Sequence, residues 1–260
     1  MMPYVAVTTV GIPETAQHLI WDIFFVQANR GTDFTSHLPW HGRVETRCVS
    51  LTAVTGELLA AAVIRPAQQE NVAMVGFVCV AQRSRGHGLG RALMESVNEA
   101  IDEAGYRAAL LWTSHPAFYE ACNYRIIGQD TFLRISGAQD ASRAPTLVAE
   151  WPASGDRVGL PAFAQAAKCL CDHRAEAIVA CGGRGATLVD WRGAPEDIIA
   201  LMAGAEYDQW HVNLGRSDDD FNNALKARDI VIAENSGSFV MARFVESAFD
   251  LRHVPVAERI

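Results

Sequence analysis

NVAMVGFVCVAQRSRGHGLGRALM, residues 71–94, is the stretch from which the rest of the chain can be read. Val72, Met74, Val75, Phe77, Val78 and Val80 make an apolar, β-branched run of the length of a buried strand. The run meets a loop of small and basic residues, Arg85-Gly86-His87-Gly88-Leu89-Gly90, with glycine at every second position. Without Cβ atoms such a loop turns sharply and brings several N–H groups near one ligand. A helical pattern starts directly behind it, so the unsatisfied N–H groups and positive dipole end of that helix face the same point. A diphosphate suits such a place, and Arg83, Arg85 and Arg91 add positive charge.

Two other glycine-loop chemistries do not fit. A P-loop needs Lys-Ser or Lys-Thr after its glycines, and none follows here. A dinucleotide fingerprint beginning at Gly86 needs glycine at position 91, which is Arg91, and the acidic residues Asp102 and Glu103 fall inside the helix pattern. What remains is the spacing of Arg85, Gly88 and Gly90, which resembles the acyl-CoA pyrophosphate loop of the GNAT superfamily of N-acetyltransferases. A second stretch supports the resemblance. After a short apolar strand, Ala108 to Thr113, comes His115-Pro116-Ala117-Phe118-Tyr119-Glu120-Ala121-Cys122-Asn123-Tyr124-Arg125, which is similar to the family's FYxxxGF signature. Asn123 stands where glycine is usual, and Asn also enters the left-handed region that ends helices. Tyr124 replaces the usual Phe.

The resemblance implies an α/β fold: a mixed, mostly antiparallel, splayed sheet flanked by helices. It implies direct transfer of an acetyl group from acetyl-CoA to an amine, with no acyl-enzyme. The pantetheine arm would lie along Phe77, Val78, Cys79 and Val80, and the Val78 to Val80 backbone would supply an oxyanion donor. The pyrophosphate would sit on Arg85, Gly86, His87, Gly88, Leu89, Gly90 and Arg91. Tyr119 would be the general acid. The strand itself carries no carboxylate, which leaves Glu45, Glu57 or Glu70 through a water, or water alone, for the base. Cys79 and Cys122 have no convincingly placed histidine, so buried cysteine is the plainer account of both.

The chain has 260 residues, enough for one large or two small domains, and is half hydrophobic and one-fifth charged. A formal charge of −8 argues against a nucleic-acid surface. The opening MMPYVAVTTVG lacks the regions of a signal peptide, and the longest apolar run, Leu58 to Ile64, is too short for a membrane span. With six cysteines, these features lead to the expectation of a reduced, cytoplasmic protein. Cys169 and Cys171 fall in a helical pattern on opposite faces, which does not suggest a metal clamp. His37, Trp40 and His41 lack further ligands at suitable spacing, so no metal is expected.

In chain order, Tyr4 to Val10 reads as a strand, and Pro13-Glu14-Thr15 opens a helix whose apolar stripe is Ala16, Leu19, Ile20, Ile23 and Phe24. Trp21 and Phe25 sit beside that stripe, either as more core or as lining of the acceptor pocket. Trp40, Thr113 and Ser114 are further acceptor candidates. Cys48 to Thr55 and Leu58 to Ile64 read as a hairpin. The motif helix carries Leu89, Leu93, Val97, Ala100, Ile101 and Ala104 on one face, and Gly105 stops it. A hairpin of Tyr124 to Gln129 and Thr131 to Ser136 then completes a GNAT domain over residues 1–137. Residues 138–159, rich in Ala, Ser, Pro and Gly, read as a linker. Residues 160–260 read as a smaller α/β domain: a helix from Pro161 to Arg174, strands from Ala175 to Cys181 and Ala186 to Trp191, a helix from Pro195, a strand from Trp210, a helix from Asp218, and a hairpin from Ile230 to Phe244. Its order from Ala186 repeats that of residues 72–136, with Phe221 near the place of Phe118 and Asn222 at that of Tyr119. Trp191-Arg192-Gly193-Ala194-Pro195-Glu196 replaces the glycine loop, and Glu196 would repel a diphosphate. This half is therefore expected to be a degenerate GNAT-like copy that binds no CoA. The expected partners are a small-molecule or peptide amine, with neither nucleic acid nor membrane, and with room for a homodimer. A non-catalytic acyl-CoA-binding module is the alternative function.

Overall fold

A computed structural model of the protein describes residues 3–137, 146–151 (backbone alone), 159–182, 185–205, 207–215, 218–245, 250–252, 254 and 258–260. Two compact units emerge. The first is Met1–Ile127 with Phe239–Val254 and Arg259–Ile260, and the second is Gly128–Ser238 with Pro255–Glu258. The chain thus leaves the first unit at 127/128 and returns at 238/239, where the sequence places one crossing at 138–159.

The first unit runs β1 (Tyr4–Val10), α1 (Glu14–Trp21), a π-helical turn (Asp22–Val26), a single-turn α2 (Phe34–His37), β2 (Arg47–Ala53), β3 (Leu58–Pro66), β4 (Val72–Val80), α3 (Leu89–Glu103), β5 (Ala108–Thr113) and α4 (Pro116–Glu120). Its strands lie in the order β1-β2-β3-β4-β5. All neighbours are antiparallel except β4 and β5, which run parallel. The other edge of β5 takes Phe239–Phe244, the end of β12 (Val231–Phe244), in antiparallel pairing. α3 buries Leu89, Leu93, Met94, Val97, Ala100 and Ile101, positions spaced to form one stripe. That stripe packs with Val49, Leu51, Ala60, Ala62, Ala73, Val75, Ala109 and Leu111 from one face of the sheet. Gly105 ends the helix at φ 75°: Tyr106 N–H reaches the Ile101 carbonyl and Gly105 N–H the Asp102 carbonyl.

The second unit contains β6 (Arg125–Ser136, from its fourth residue), β7 (Thr146–Trp151), β8 (Ala166–Cys171), β9 (Glu176–Gly182), β10 (Gly185–Arg192), α5 (Pro195–Ala203), β11 (Gln209–Leu214), α6 (Asp219–Ala227) and the first part of β12. Its strands lie in the order β6-β11-β10-β9-β8-β7. β10 and β11 are parallel through Ala186–Leu188 and Trp210–Val212, as β4 and β5 are through Val72–Met74 and Ala108–Leu110. β11 takes Thr131–Ser136 on its other edge, as β5 takes Phe239–Phe244. Ile198, Leu201, Phe221 and Leu225 from the two helices close a core with Leu133, Val179, Leu188, Trp210 and Val212.

Four sequence expectations change. The hairpin expected at 124–136 is one continuous strand, β6, and that at 230–244 is one 14-residue strand, β12. Gly128 and Gly237 sit within these strands, and a Cβ on Gly237 would stand 2.9 Å from Asp130 Cβ, so that glycine permits a close crossing instead of a turn. The helix expected at 161–174 is not formed: Ala166–Cys171 is β8, paired with β7 and β9 on its two edges. Tertiary pairing overrides the helical propensity of its alanines. Cys169 and Cys171, two apart in a strand, therefore share a face. Part of the expected linker forms β7, and residues 138–145 and 152–158 lie outside the described residues. Among the described residues no helix is long and apolar enough to cross a membrane.

Candidate active site

β4 changes character halfway along. Its pairing with β5 covers only Val72–Met74, after which β5 continues alone against Phe239–Phe244. On the other edge the register moves from Val63↔Gly76 to Ala61↔Cys79, so Phe77 and Val78 together oppose Ala62. This is a β-bulge, and Phe77 takes the strain at φ 52°. The sheet therefore splays, and the β5-facing backbone of β4 beyond Met74 has no strand partner among the described residues.

Beyond β4 a 3₁₀ turn, Gln82–Ser84, leads into the glycine loop. Arg85 folds back, its Nε donating to the Val80 carbonyl at 3.1 Å. Gly86 and Gly88 sit at φ 80° and 78°, and a Cβ on either would meet nothing within 4 Å. Gly88 is the N-cap of α3 and offers no side chain to accept from the first-turn N–H groups. Arg91 N–H turns back to the Gly88 carbonyl at 3.1 Å, and the space before Gly86 and Gly88 is open at the positive end of a 15-residue helix. Leu89 is buried in the core, so only its backbone belongs to the loop surface. His87 Nδ1 lies 3.4 Å from the Ser84 carbonyl, and Arg91 pairs loosely with Glu95 on the helix surface. Gly90 sits under Phe118, whose ring would lie 3.4 Å from a Cβ there.

Helix capping positions Tyr119. α4 opens with Pro116 in its first turn and ends at Asn123, φ 69°, where Tyr124 N–H returns to the Tyr119 carbonyl at 3.0 Å. Asn123 does here what glycine usually does. The same motif brings Tyr124 against Tyr119, ring centroids 6.2 Å apart, with Phe118 edge-on to Tyr119 at 4.8 Å. Burial pushes the Tyr119 phenol up to about 12. Tyr124 is buried to 2% exposure, its hydroxyl has no hydrogen-bond partner among the described residues, and burial raises its phenol too. Cys79 donates weakly to the Ala61 carbonyl and burial pushes its thiol up to about 12, so it is no ready nucleophile.

The aromatic candidates converge on the bulge. Phe77 meets Phe24 edge-on at 5.3 Å, Phe25 at 6.4 Å and Trp40 at 6.4 Å. Trp21 stacks on Phe25 at 4.5 Å and is half-buried, whereas Phe25 and Trp40 are 1% and 3% exposed. Phe25 and Trp40 are thus core rings, and of the three Trp21 alone keeps access to the surface. Thr113 Oγ1 accepts from His115 N–H at 2.9 Å, and Ser114 Oγ lies 2.8 Å from His115 Nδ1. Glu57 is tied to Arg83 and Glu45 to Arg43. Three features escaped sequence reasoning: the Arg65 guanidinium over Trp40, the Phe24–Phe77 contact, and Ile260, which a Cβ on Gly76 would overrun. All join residues far apart in sequence and leave no periodic signal. Among the described residues no group of three or more His, Cys, Asp or Glu side chains could hold a metal.

With this geometry in view, the comparisons are specific. Residues 14–124 match the model of the acetyltransferase (GNAT) family. The chain has the GNAT acetyltransferase fold. A GCN5-related N-acetyltransferase from Anabaena variabilis superposes with a TM-score of 0.65 at 15% identity, covering 93% of this chain and 73% of that one. A probable N-acyltransferase from Enterococcus faecalis gives 0.64 at 14% identity with the same coverage. A GCN5-related N-acetyltransferase from Kribbella flavida gives 0.60 at 14%, covering 92% and 72%. No curated protein sequence matches. The likeness to the GNAT structures spans both units.

Proposed function

We propose that the protein is an acyl-CoA-dependent N-acyltransferase that moves an acetyl group from acetyl-CoA directly to an amine. The observation that carries this reading is the open glycine loop at the N-terminus of α3, set beside a strand whose backbone is left unpaired by the splay. The loop N–H groups take the pyrophosphate, with Arg83, Arg85 and Arg91 adding charge. The pantetheine amides pair with β4 from Phe77 to Val80. The bulge turns backbone N–H groups of this segment toward the thioester oxygen, where they stabilise the negative charge that develops as the amine attacks.

Tyr119 is the proton donor in this reading. At about 12 its phenol stays protonated throughout the working pH range. Against a thiol of ordinary value, ~8.5, full transfer is uphill, so the hydroxyl first donates a hydrogen bond to the departing sulfur. As the C–S bond breaks the thiolate takes the phenol proton, and the proton that the amine sheds on becoming an amide restores the phenol, so the products are the amide and free CoA thiol. Tyr119→Phe keeps the ring and removes only the hydroxyl. Thiol release from acetyl-CoA, screened across amine classes, identifies an acceptor. With it, kcat of the variant should fall by roughly 10²–10⁴-fold with acetyl-CoA affinity little changed. Near-full kcat under conditions where chemistry limits the rate would remove the acid role. No acetyl-CoA consumption with any amine, despite tight CoA binding, would favour a binding module over an enzyme.

A further inference from the structure

β1 is an edge strand without the usual protection. Residues 1–13 carry no charged side chain, the first being Glu14. Within Tyr4–Val10 there is no proline, and its register with β2 runs unbroken from Tyr4↔Ala53 to Val10↔Arg47, without a bulge. Val5, Val7 and Val10 are 55%, 43% and 57% exposed. Natural edge strands are normally blunted by lysine, proline, bulges or a covering element, because their unpaired N–H and C=O groups template another strand. Among the described residues β1 has none of these defences.

The hydrogen-bond pattern shows which groups point outward. Gly11 N–H donates to the Thr46 carbonyl, in line with the β1–β2 register, and Ala53 N–H turns away from β1 to the Glu57 carbonyl. Antiparallel pairing alternates, so Val5, Val7 and Thr9 bond β2 while Tyr4, Ala6, Thr8 and Val10 present their backbone to the open edge. We propose that this edge pairs antiparallel with β1 of a second copy of the chain, about a two-fold axis through Val7. That register sets Tyr4 opposite Val10 and Ala6 opposite Thr8, so every outward group on both strands finds a partner. A shift of the axis by one residue, to Ala6 or Thr8, leaves outward groups unmatched at the strand ends. Val7 then faces its own copy as a non-hydrogen-bonded pair, where side chains approach most closely, with Val5 opposite Thr9 on the same face. Pro3 and Gly11, at φ 69°, bound the ladder at its two ends, each aligned with the other of the partner strand. A second copy is the fitting occupant because the whole edge is neutral. Neither strand carries a charged side chain, so no like charges meet between the paired strands.

Sedimentation of the full chain over a concentration series provides the test. The wild type should be a dimer at micromolar concentration. Val7→Lys sets two ammonium groups face to face at the axis, and Thr8→Pro deletes an outward N–H while leaving the β2 ladder whole. Each should weaken the dimer by at least ~10-fold with an unchanged circular dichroism spectrum, and the second variant guards against misfolding in the first. A monomeric wild type overturns the proposal. So does a dimer that both folded variants leave intact, since it must use another surface. The test does not depend on the acyl-transfer reading.

Discussion

The two strand-to-helix loops of this chain begin from one topology and end in opposite states. Behind β4, Gly86 and Gly88 face space in which a Cβ meets nothing within 4 Å. Behind β10, a Cβ on Gly193, at φ 130°, would stand 2.9 Å from the Arg174 carbonyl oxygen and 3.2 Å from Ala175. The first helix has no acidic residue in its opening turn. The second opens with Glu196 and Asp197, which pair with Arg228 and Arg174. One helix N-terminus carries no acidic side chain, and the other is neutralised by the chain itself. The parallel strand pairs, the helices behind them and the antiparallel strand on the other edge of β5 and of β11 are shared features. What separates the two loops is the space in front of the glycine and the charge behind it.

That comparison can be sharpened by putting one methyl group on each loop. Gly88→Ala places a Cβ where the diphosphate should touch backbone. CoA affinity in calorimetry should fall by at least ~10-fold, while stability in chemical denaturation drops only by the ~1–2 kcal/mol cost of a left-handed alanine. Gly193→Ala meets both an unfavourable φ and a backbone oxygen, so it should cost ~2–4 kcal/mol in chemical denaturation and leave CoA affinity unchanged. Equal effects of the two substitutions on either property would erase the contrast.

The loop contrast was legible in sequence because it is local. Arg85-x-x-Gly88-x-Gly90 and Trp191 to Glu196 state their chemistry within six residues, and the element order around them followed from short periodic runs. Asn123 was legible for the same reason: a left-handed cap is a property of one residue and its neighbours. β6 and β12 were not, because Gly128 and Gly237 carry the ordinary signal of a turn. Only the approach of Asp130 shows that Gly237 serves a crossing. β8 was hidden behind Ala-rich helical propensity, since what favours the strand is its pairing with β7 and β9, which are separate segments of the chain. In the site, sequence proximity suggested Trp21, Phe25 and Trp40 but could not separate the half-buried Trp21 from the two rings beneath it. Nor could it show that Phe77, at the bulge, is what they gather around.

Calorimetric titration of the intact chain with CoA is the most direct test, because it counts sites in both loops at once. One CoA per chain is the predicted result, with binding lost or strongly weakened in Gly88→Ala and retained in Gly193→Ala. Two sites of comparable affinity, or a single site that Gly88→Ala leaves undiminished, would contradict the assignment of the ligand to the first loop.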